Sequence, residues 1–343
     1  MAKIRVLVVE DSMVFRRLLV EALNRDPDIE VVAVAEDPFQ ARDAIIECQP
    51  DVMTLDVELP RMSGIEFLRK LMPQYPLATV VISALSDKVF DALQAGAVDF
   101  VEKPAMTQKA QLEQFMNRDL PIMVKAASMA KLDQLRRKHT EIVAGSLAQR
   151  QKKDVVIAIG ASTGGTEATA EVLREFGTDI PGIVVVQHMP TGFTKMYAER
   201  LNRSCRVEVK EAKTGDVIQP GRVLIAPGGE EHLKVVRVGE NYQVVCRRGD
   251  KVSGHCPSVD VLFQSVAETA EKNAIGILLT GMGSDGAQGL LKMRQHGART
   301  IAQDESSCIV YGMPKVAYEL GAVQYQEKIS DVARRTYQIL NSM

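Results

Sequence analysis

Gly160-Ala161-Ser162-Thr163-Gly164-Gly165 follows an apolar run from Val155 to Ile159 and leads into a helix-like segment from Thr166. A serine at such a strand-to-helix turn, with glycines relieving the crowding around it, stands clear beside the free N–H groups of a helix start and can serve as a nucleophile. Glycine-rich turns of this kind also cradle phosphate. Here serine stands where the dinucleotide fingerprint needs its second glycine, and no Gly-Lys-Ser/Thr follows, so Ser162 reads first as a candidate nucleophile and second as part of an anion site.

Two more apolar runs end in chemistry-bearing residues. Gly182 to Gln187 is followed by His188, and Ala274 to Leu279 by Thr280-Gly281-Met282-Gly283-Ser284-Asp285-Gly286. Serine, histidine and aspartate at three strand ends of one sheet form the set of nucleophile, general base and base-orienting carboxylate. Their order in the chain differs from the Ser, Asp, His order of α/β-hydrolases, which argues against that fold and not against the geometry. His232, His255 and His296 are rival bases. His232 begins an expected hairpin, Leu233 to Arg248, and His296 sits near a helix C-terminus, where a structural role is ordinary. His255, in Gly254-His255-Cys256-Pro257-Ser258-Val259-Asp260, ranks second, as a residue lining a substrate cleft.

The first half has a different inventory. Glu10 and Asp11 follow the run Ile4 to Val9, Asp56 follows Val52 to Leu55, Ser83 follows Val80 to Ile82, and Lys103 comes soon after Phe100-Val101. Carboxylates gathered in one pocket repel one another and become tolerable by binding a hard divalent cation, and Mg²⁺ fits the oxygen donors.

The elements that must position these residues follow a β-α-β-α rhythm in the first half, which predicts a parallel sheet covered by helices, with ligands outside the carboxyl ends of the strands. The second half predicts another mostly parallel α/β sheet with an added β-hairpin. The length of 343 residues suits two domains. The boundaries expected are 1–120, a helical extension and basic linker over 121–153, and 154–343. Gly145-Ser146 breaks the helix, and the Lys- and Arg-rich stretch around it reads as a solvated tether.

Composition narrows the function. Hydrophobic residues make up 46%, and 42 Lys+Arg nearly balance 44 Asp+Glu, so no strong field favours nucleic acid. No segment approaches ~18 uninterrupted apolar residues and no signal peptide is evident, so a cytoplasmic protein without membrane insertion is expected. The five cysteines are scattered and never in C-x-x-C spacing, against a disulfide framework or a cysteine zinc site.

Val8-Val9-Glu10-Asp11-Ser12, Thr54-Leu55-Asp56-Val57-Glu58-Leu59-Pro60, Ser83-Ala84 and Glu102-Lys103-Pro104 resemble the receiver domain of bacterial response regulators, a flavodoxin-like fold. That resemblance implies that Asp56 accepts a phosphoryl group from a sensor histidine kinase, and that Glu10 and Asp11 help hold Mg²⁺. It also implies that Lys103 and Ser83 contact the phosphoryl oxygens, with Ser83 and Phe100 at the switch positions. Glu10 departs from the commoner Asp-Asp pair, which opens a water-mediated route for its contact with the metal.

The second half resembles the catalytic domain of the CheB family, chemotaxis protein-glutamate methylesterases and glutamine deamidases. The motifs are Ile159 to Glu167, Gln187-His188-Met189-Pro190, Pro257 to Phe263, Thr280-Gly281-Met282-Gly283 and Gln303 to Cys308. The resemblance implies that Ser162 attacks the γ-carbonyl of a methylated receptor glutamate, His188 takes its proton and Asp285 orients the imidazole. The N–H groups of Thr163 and Met282 are the oxyanion donors expected. Methyl-accepting chemotaxis receptors would be the substrate, with no cofactor for the ester chemistry. The unphosphorylated receiver would cover the Ser162 cleft, and a monomer is the default. The competing reading is a phosphorylation-controlled receptor- or DNA-binding protein with a degenerate output domain; no helix-turn-helix pattern supports its DNA-binding form.

Overall fold

The computed structural model describes residues 2–84, 88–136 and 154–343. The chain divides into two compact units, Met1–Arg137 and Lys138–Met343. The expected break at Gly145-Ser146 and most of the basic linker lie outside the described residues.

The first unit runs β1 (Ile4–Val9), α1 (Met13–Arg25), β2 (Ile29–Ala35), α2 (Pro38–Cys48), β3 (Val52–Asp56), α3 (Gly64–Leu71), β4 (Ala78–Ser83), α4 (Val89–Gln94), β5 (Asp99–Glu102), α5 (Lys109–Gln114) and α6 (Leu120–Ser128). All its strand pairs are parallel, in the order β2-β1-β3-β4-β5. This is the flavodoxin-like order, whose switch point falls between β1 and β3. Central strands of such a sheet are covered on both faces, which is why β3 and β4 read as unbroken buried runs.

The helix expected as an extension beyond residue 120 is part of this unit. Leu120, Val124, Ala126 and Ala127 of α6 are buried, and α6 packs against β3, β4, β5 and α1. Lys125 also bridges Asp26 and Asp28 in the α1–β2 turn at 2.9 and 2.8 Å. The apolar face of α6 is the reason the compact unit extends past residue 120.

The second unit contains β6 (Val156–Ala161), α7 (Gly165–Glu175), β7 (Gly182–Gln187), α8 (Phe193–Ser204), β8 (Glu208–Glu211), β9 (Arg222–Ile225), β10 (Glu231–Val238), β11 (Asn241–Arg248), α9 (Val259–Ala270), β12 (Ala274–Leu278), α10 (Ala287–Gln295), β13 (Arg299–Gln303), α11 (Met313–Glu319), β14 (Tyr325–Glu327) and α12 (Ile329–Ser342). Seven strands form a sheet in the order β14-β13-β12-β6-β7-β9-β8, with every pair parallel. The chain starts at the centre with β6, builds outward through β7, and returns to the other side of β6 with β12. That reversal is the switch point where open α/β sheets gather ligands.

The expected hairpin is β10 and β11, antiparallel and separate from the large sheet. It packs on α9 through buried Leu233, Val235 and Val244, and Ser265 Oγ accepts from Val235 N–H at 2.9 Å. No helix among the described residues is long and apolar enough to cross a membrane.

Candidate active site

Strand register places the first two site residues side by side. Ala161 of β6 pairs with Gln187 of β7, so Ser162 and His188 each stand one residue beyond the pair. On the other side Gly160 pairs with Leu278 of β12, and Ser162 N–H donates to Thr280 O at 3.0 Å. Glycine is required twice here. Gly164 has φ +75°, the left-handed turn that starts α7, and a Cβ on Gly281 would come within 2.7 Å of Ser162 Cβ. The loop after β12 can therefore pass directly against the serine.

Ser162 Oγ lies 3.1 Å from His188 Nδ1, and His188 Nε2 lies 2.8 Å from Asp285 Oδ2. An ionised Asp285 accepts from Nε2–H, which leaves Nδ1 as the basic nitrogen facing the serine. Asp285 is not at a strand end as expected; it stands several residues past Thr280, and the N-terminus of α9 reaches out to it. Ser258 Oγ–H donates to Oδ1 at 2.7 Å, Val259 N–H to Oδ2 at 2.7 Å and Asp260 N–H to Oδ1 at 3.0 Å. Burial pushes this carboxyl upward, but the hydrogen bond and charge of His188 and the donors of α9 together hold it below the usual carboxylate range.

Among the described residues, neither the Thr163 nor the Met282 N–H has a hydrogen-bond acceptor, although Thr163 is buried. Buried amides are nearly always paired, so free donors beside a serine are what an oxyanion would use. The Met282 peptide is held by Gly312 N–H and Met313 N–H, which donate to Gly281 O at 3.1 and 2.8 Å, and a polar frame surrounds Thr163 and Thr280. Thr280 Oγ–H donates to Thr163 O at 3.0 Å and Oγ accepts from Val310 N–H at 2.9 Å. Gln303 Oε1 accepts from Thr280 N–H at 2.8 Å, and Gln187 Nε2–H donates to Ser162 O at 2.9 Å.

His255 is brought to the site: its ring stacks on that of His188 with centroids 3.7 Å apart and planes 7° apart. His232 is buried and, among the described residues, hydrogen-bonds to backbone groups of Asp250 and Ser258, and His296 caps α10 through Lys292 O. Sequence reasoning gave no role to Ser258, Asp260, Thr280, Gln187 or Gln303. Ser258 alone carried a usable signal, an N-cap serine before the apolar run of α9.

In the first unit, Lys103 Nζ–H donates to both oxygens of Glu10 at 2.8 Å and to Asp56 Oδ2 at 2.6 Å. Carboxylate oxygens of Glu10, Asp11 and Asp56 all lie within 4.8 Å of one another. Burial, with the Asp56 charge added, pushes Glu10 up to about 7 despite its Lys103 bonds. Three carboxylates against one ammonium leave an excess of negative charge, which suits a divalent cation with oxygen ligands. Ser83 is buried at the end of β4, and its carbonyl accepts from Lys103 N–H at 2.9 Å. Phe100 is buried against the edge of Phe90, centroids 6.3 Å apart.

Comparison with known proteins agrees with this division. Residues 157–336 match the CheB methylesterase family model and residues 6–117 the response regulator receiver domain. A relative from Syntrophomonas wolfei, named protein-glutamate methylesterase/protein-glutamine glutaminase 2, is 56% identical over 341 residues, 99% of each chain. One from Syntrophotalea carbinolica, named protein-glutamate methylesterase/protein-glutamine glutaminase, is 53% identical over 99% of this chain and 98% of its own. The crystal structure of the Thermotoga maritima CheB methylesterase catalytic domain is 35% identical with a TM-score of 0.53, covering 54% of this chain and 98% of that one. With a full-length relative above half identity and both domain models matched in order, the chain belongs to the CheB methylesterase family and carries a response regulator receiver domain ahead of its methylesterase domain.

Proposed function

We propose that this protein hydrolyses glutamate γ-methyl esters on methyl-accepting chemotaxis receptors, deamidates receptor glutamines at the same site, and is activated by phosphorylation of Asp56. The hydrogen-bonded run Ser162 Oγ, His188, Asp285 carries this reading, and the names of the full-length relatives supply the substrate class. A purely binding role would leave that run, and the free amides beside it, without a use.

Ser162 Oγ adds to the ester carbonyl as its proton passes to His188 Nδ1. The new oxyanion is held by the N–H groups of Thr163 and Met282, each worth ~3 kcal/mol by comparison with other acyl-transfer sites. The imidazolium is stabilised by Asp285 and returns the proton to the departing methoxide, so that methanol leaves. Water, deprotonated by the same Nδ1, then attacks the acyl-serine and frees the glutamate. A primary amide presents the same planar carbonyl and loses ammonia instead.

In the receiver, spanning about residues 1–120 with α6 packed behind it, Asp56 takes the phosphoryl group from a sensor histidine kinase. Glu10, Asp11 and Asp56 would hold Mg²⁺, which neutralises charge on the phosphoryl oxygens. Lys103 and Ser83 contact those oxygens, and Phe100 borders the face that changes. The catalytic domain spans 154–343, and the protein acts as a cytoplasmic monomer.

The test is methanol release from methyl-labelled receptor membranes, with the wild type and Ser162→Ala, each with and without a small-molecule phosphodonor and Mg²⁺. Release that requires Ser162 and rises with the phosphodonor is the expected result. No release from the wild type in either condition would refute the substrate assignment.

A further inference from the structure

The stack of His255 on His188 has a construction behind it. His255 sits on a strap, residues 249–258, that leaves the hairpin and returns to the first turn of α9. His232, buried in β10, ties both limbs: its Nε2–H donates to Asp250 O at 2.8 Å, and its Nδ1 accepts from Ser258 N–H at 3.1 Å. Both nitrogens are used by backbone, one as donor and one as acceptor, which fixes a single neutral tautomer.

The tip of the strap is set as firmly. Val252 and His255 exchange both backbone hydrogen bonds at 3.0 Å, with Ser253 at φ +52° and Gly254 at φ +85° between them. Two consecutive left-handed residues make the tight turn of a two-residue hairpin loop, and the serine is the strained one. Its Oγ–H donates to Asp260 Oδ2 at 3.1 Å, and Asp260 Oδ1 accepts from Gly289 N–H at 2.7 Å. Asp260 N–H is in turn one of the donors on Asp285. The strap and the carboxylate that orients His188 thus share one anchor, the N-terminus of α9.

A hydrogen bond at Nε2 and a longer one at Nδ1 fix the ends of the His188 ring but resist tilting out of its plane poorly. A second ring lying parallel at 3.7 Å blocks that tilt on one face and excludes water from it. We infer that His255 is a positioning residue for the Ser162–His188 pair: its ring, presented by the strap that His232 clamps, is the wall against which the general base lies flat. Packing, not proton transfer by His255, is the contribution. This deepens the esterase reading and rests on His188 being the base.

The experiment uses the full chain with phosphodonor and compares wild type, His255→Ala and His255→Phe. Two rates are followed: methanol release, and covalent labelling of Ser162 by a fluorophosphonate, with active sites titrated so that only folded protein counts. His255→Ala should lose about 10- to 100-fold in kcat and in labelling rate with KM little changed, the scale expected of a misoriented catalytic group. His255→Phe, which keeps a flat ring and no nitrogen, should recover most of the loss and keep the wild-type pH profile. Phenylalanine as poor as alanine, or a pH-profile limb that vanishes with the imidazole, would overturn the proposal in favour of a titrating role. So would alanine within about twofold of wild type, well below that same scale. If the wild type labels at Ser162 but releases no methanol, the substrate reading fails while the labelling series still decides the role of His255.

Discussion

Glu10 and Asp285 are both buried carboxylates beside the carboxyl edges of parallel sheets, at 0% and 1% exposure, yet their surroundings differ in kind. Asp285 takes hydrogen bonds from His188 Nε2, Ser258 Oγ, Val259 N and Asp260 N, which hold it ionised. Glu10 shares one lysine with Asp56, faces Asp11, and is raised to about 7. In the function proposed above, Asp285 is the catalytic carboxylate, and its partners all lie within the protein, as preorganised stabilisation of a developing charge requires. The receiver carboxylates are left unbalanced, which suits the proposed uptake of a cation and a phosphoryl group.

The sharpest way to break this contrast is Asp285→Asn. Both oxygens of Asp285 already face donors, so an amide NH₂ placed on either side opposes one of them, and the imidazole loses the partner that fixes its tautomer. Methanol release should fall by about ten-thousand-fold with the fold retained, by analogy with other triads. A loss under tenfold would mean that Asp285 is not what orients His188. In the receiver, Asp56→Asn should abolish the phosphodonor-dependent increment in methanol release. An increment that survives would place the phosphoryl group on another residue.

Next in size is the frame behind the free amides. Thr280→Val removes a hydroxyl that serves Thr163 O and Val310 N–H, leaving buried polar groups unpaired. The expected loss is ~1–3 kcal/mol in the urea unfolding free energy, with a lowered kcat and little change in KM. Thr280→Ser keeps the hydroxyl and should restore both. Equal behaviour of Val and Ser would show that the framework contributes nothing to the oxyanion donors.

The parts legible in the sequence are those written locally. Ser162 and His188 directly follow apolar runs that are buried on both faces, so strand, strand end and functional residue are contiguous in the chain. The acidic receiver residues are legible for the same reason. Strands β8 and β14, read as Glu208-Val209-Lys210-Glu211 and Tyr325-Gln326-Glu327, carry no apolar run because they are the sheet edges and stay partly exposed. Nor does a sequence show that Gln303 will bind the peptide of Thr280, or that His232 will clamp Asp250 and Ser258. Such contacts join single polar groups across long stretches of chain, with no period to announce them. The position of Asp285 fell between these cases: its loop was legible, and the helix terminus that holds it was not.

The smallest effect tests the unbalanced side directly. Glu10 titrates near 7 in the folded protein against an ordinary 4.5, so between those values the folded state binds the proton more tightly than the unfolded state. Its contribution to stability is therefore present at low pH and is lost as pH rises toward and through 7. Glu10→Gln removes the group that must ionise, while Lys103 keeps its bond to Asp56. Without Mg²⁺, the variant's first unit should melt a few degrees above wild type at pH 8, and the gap should close toward pH 4.5. Mg²⁺ should raise the wild type more than the variant at pH 8, because the cation supplies the positive charge that the carboxylates lack. A variant that melts lower than wild type at pH 8 without Mg²⁺ would show that the Lys103 pairing outweighs burial, and that Glu10 is as well satisfied as Asp285.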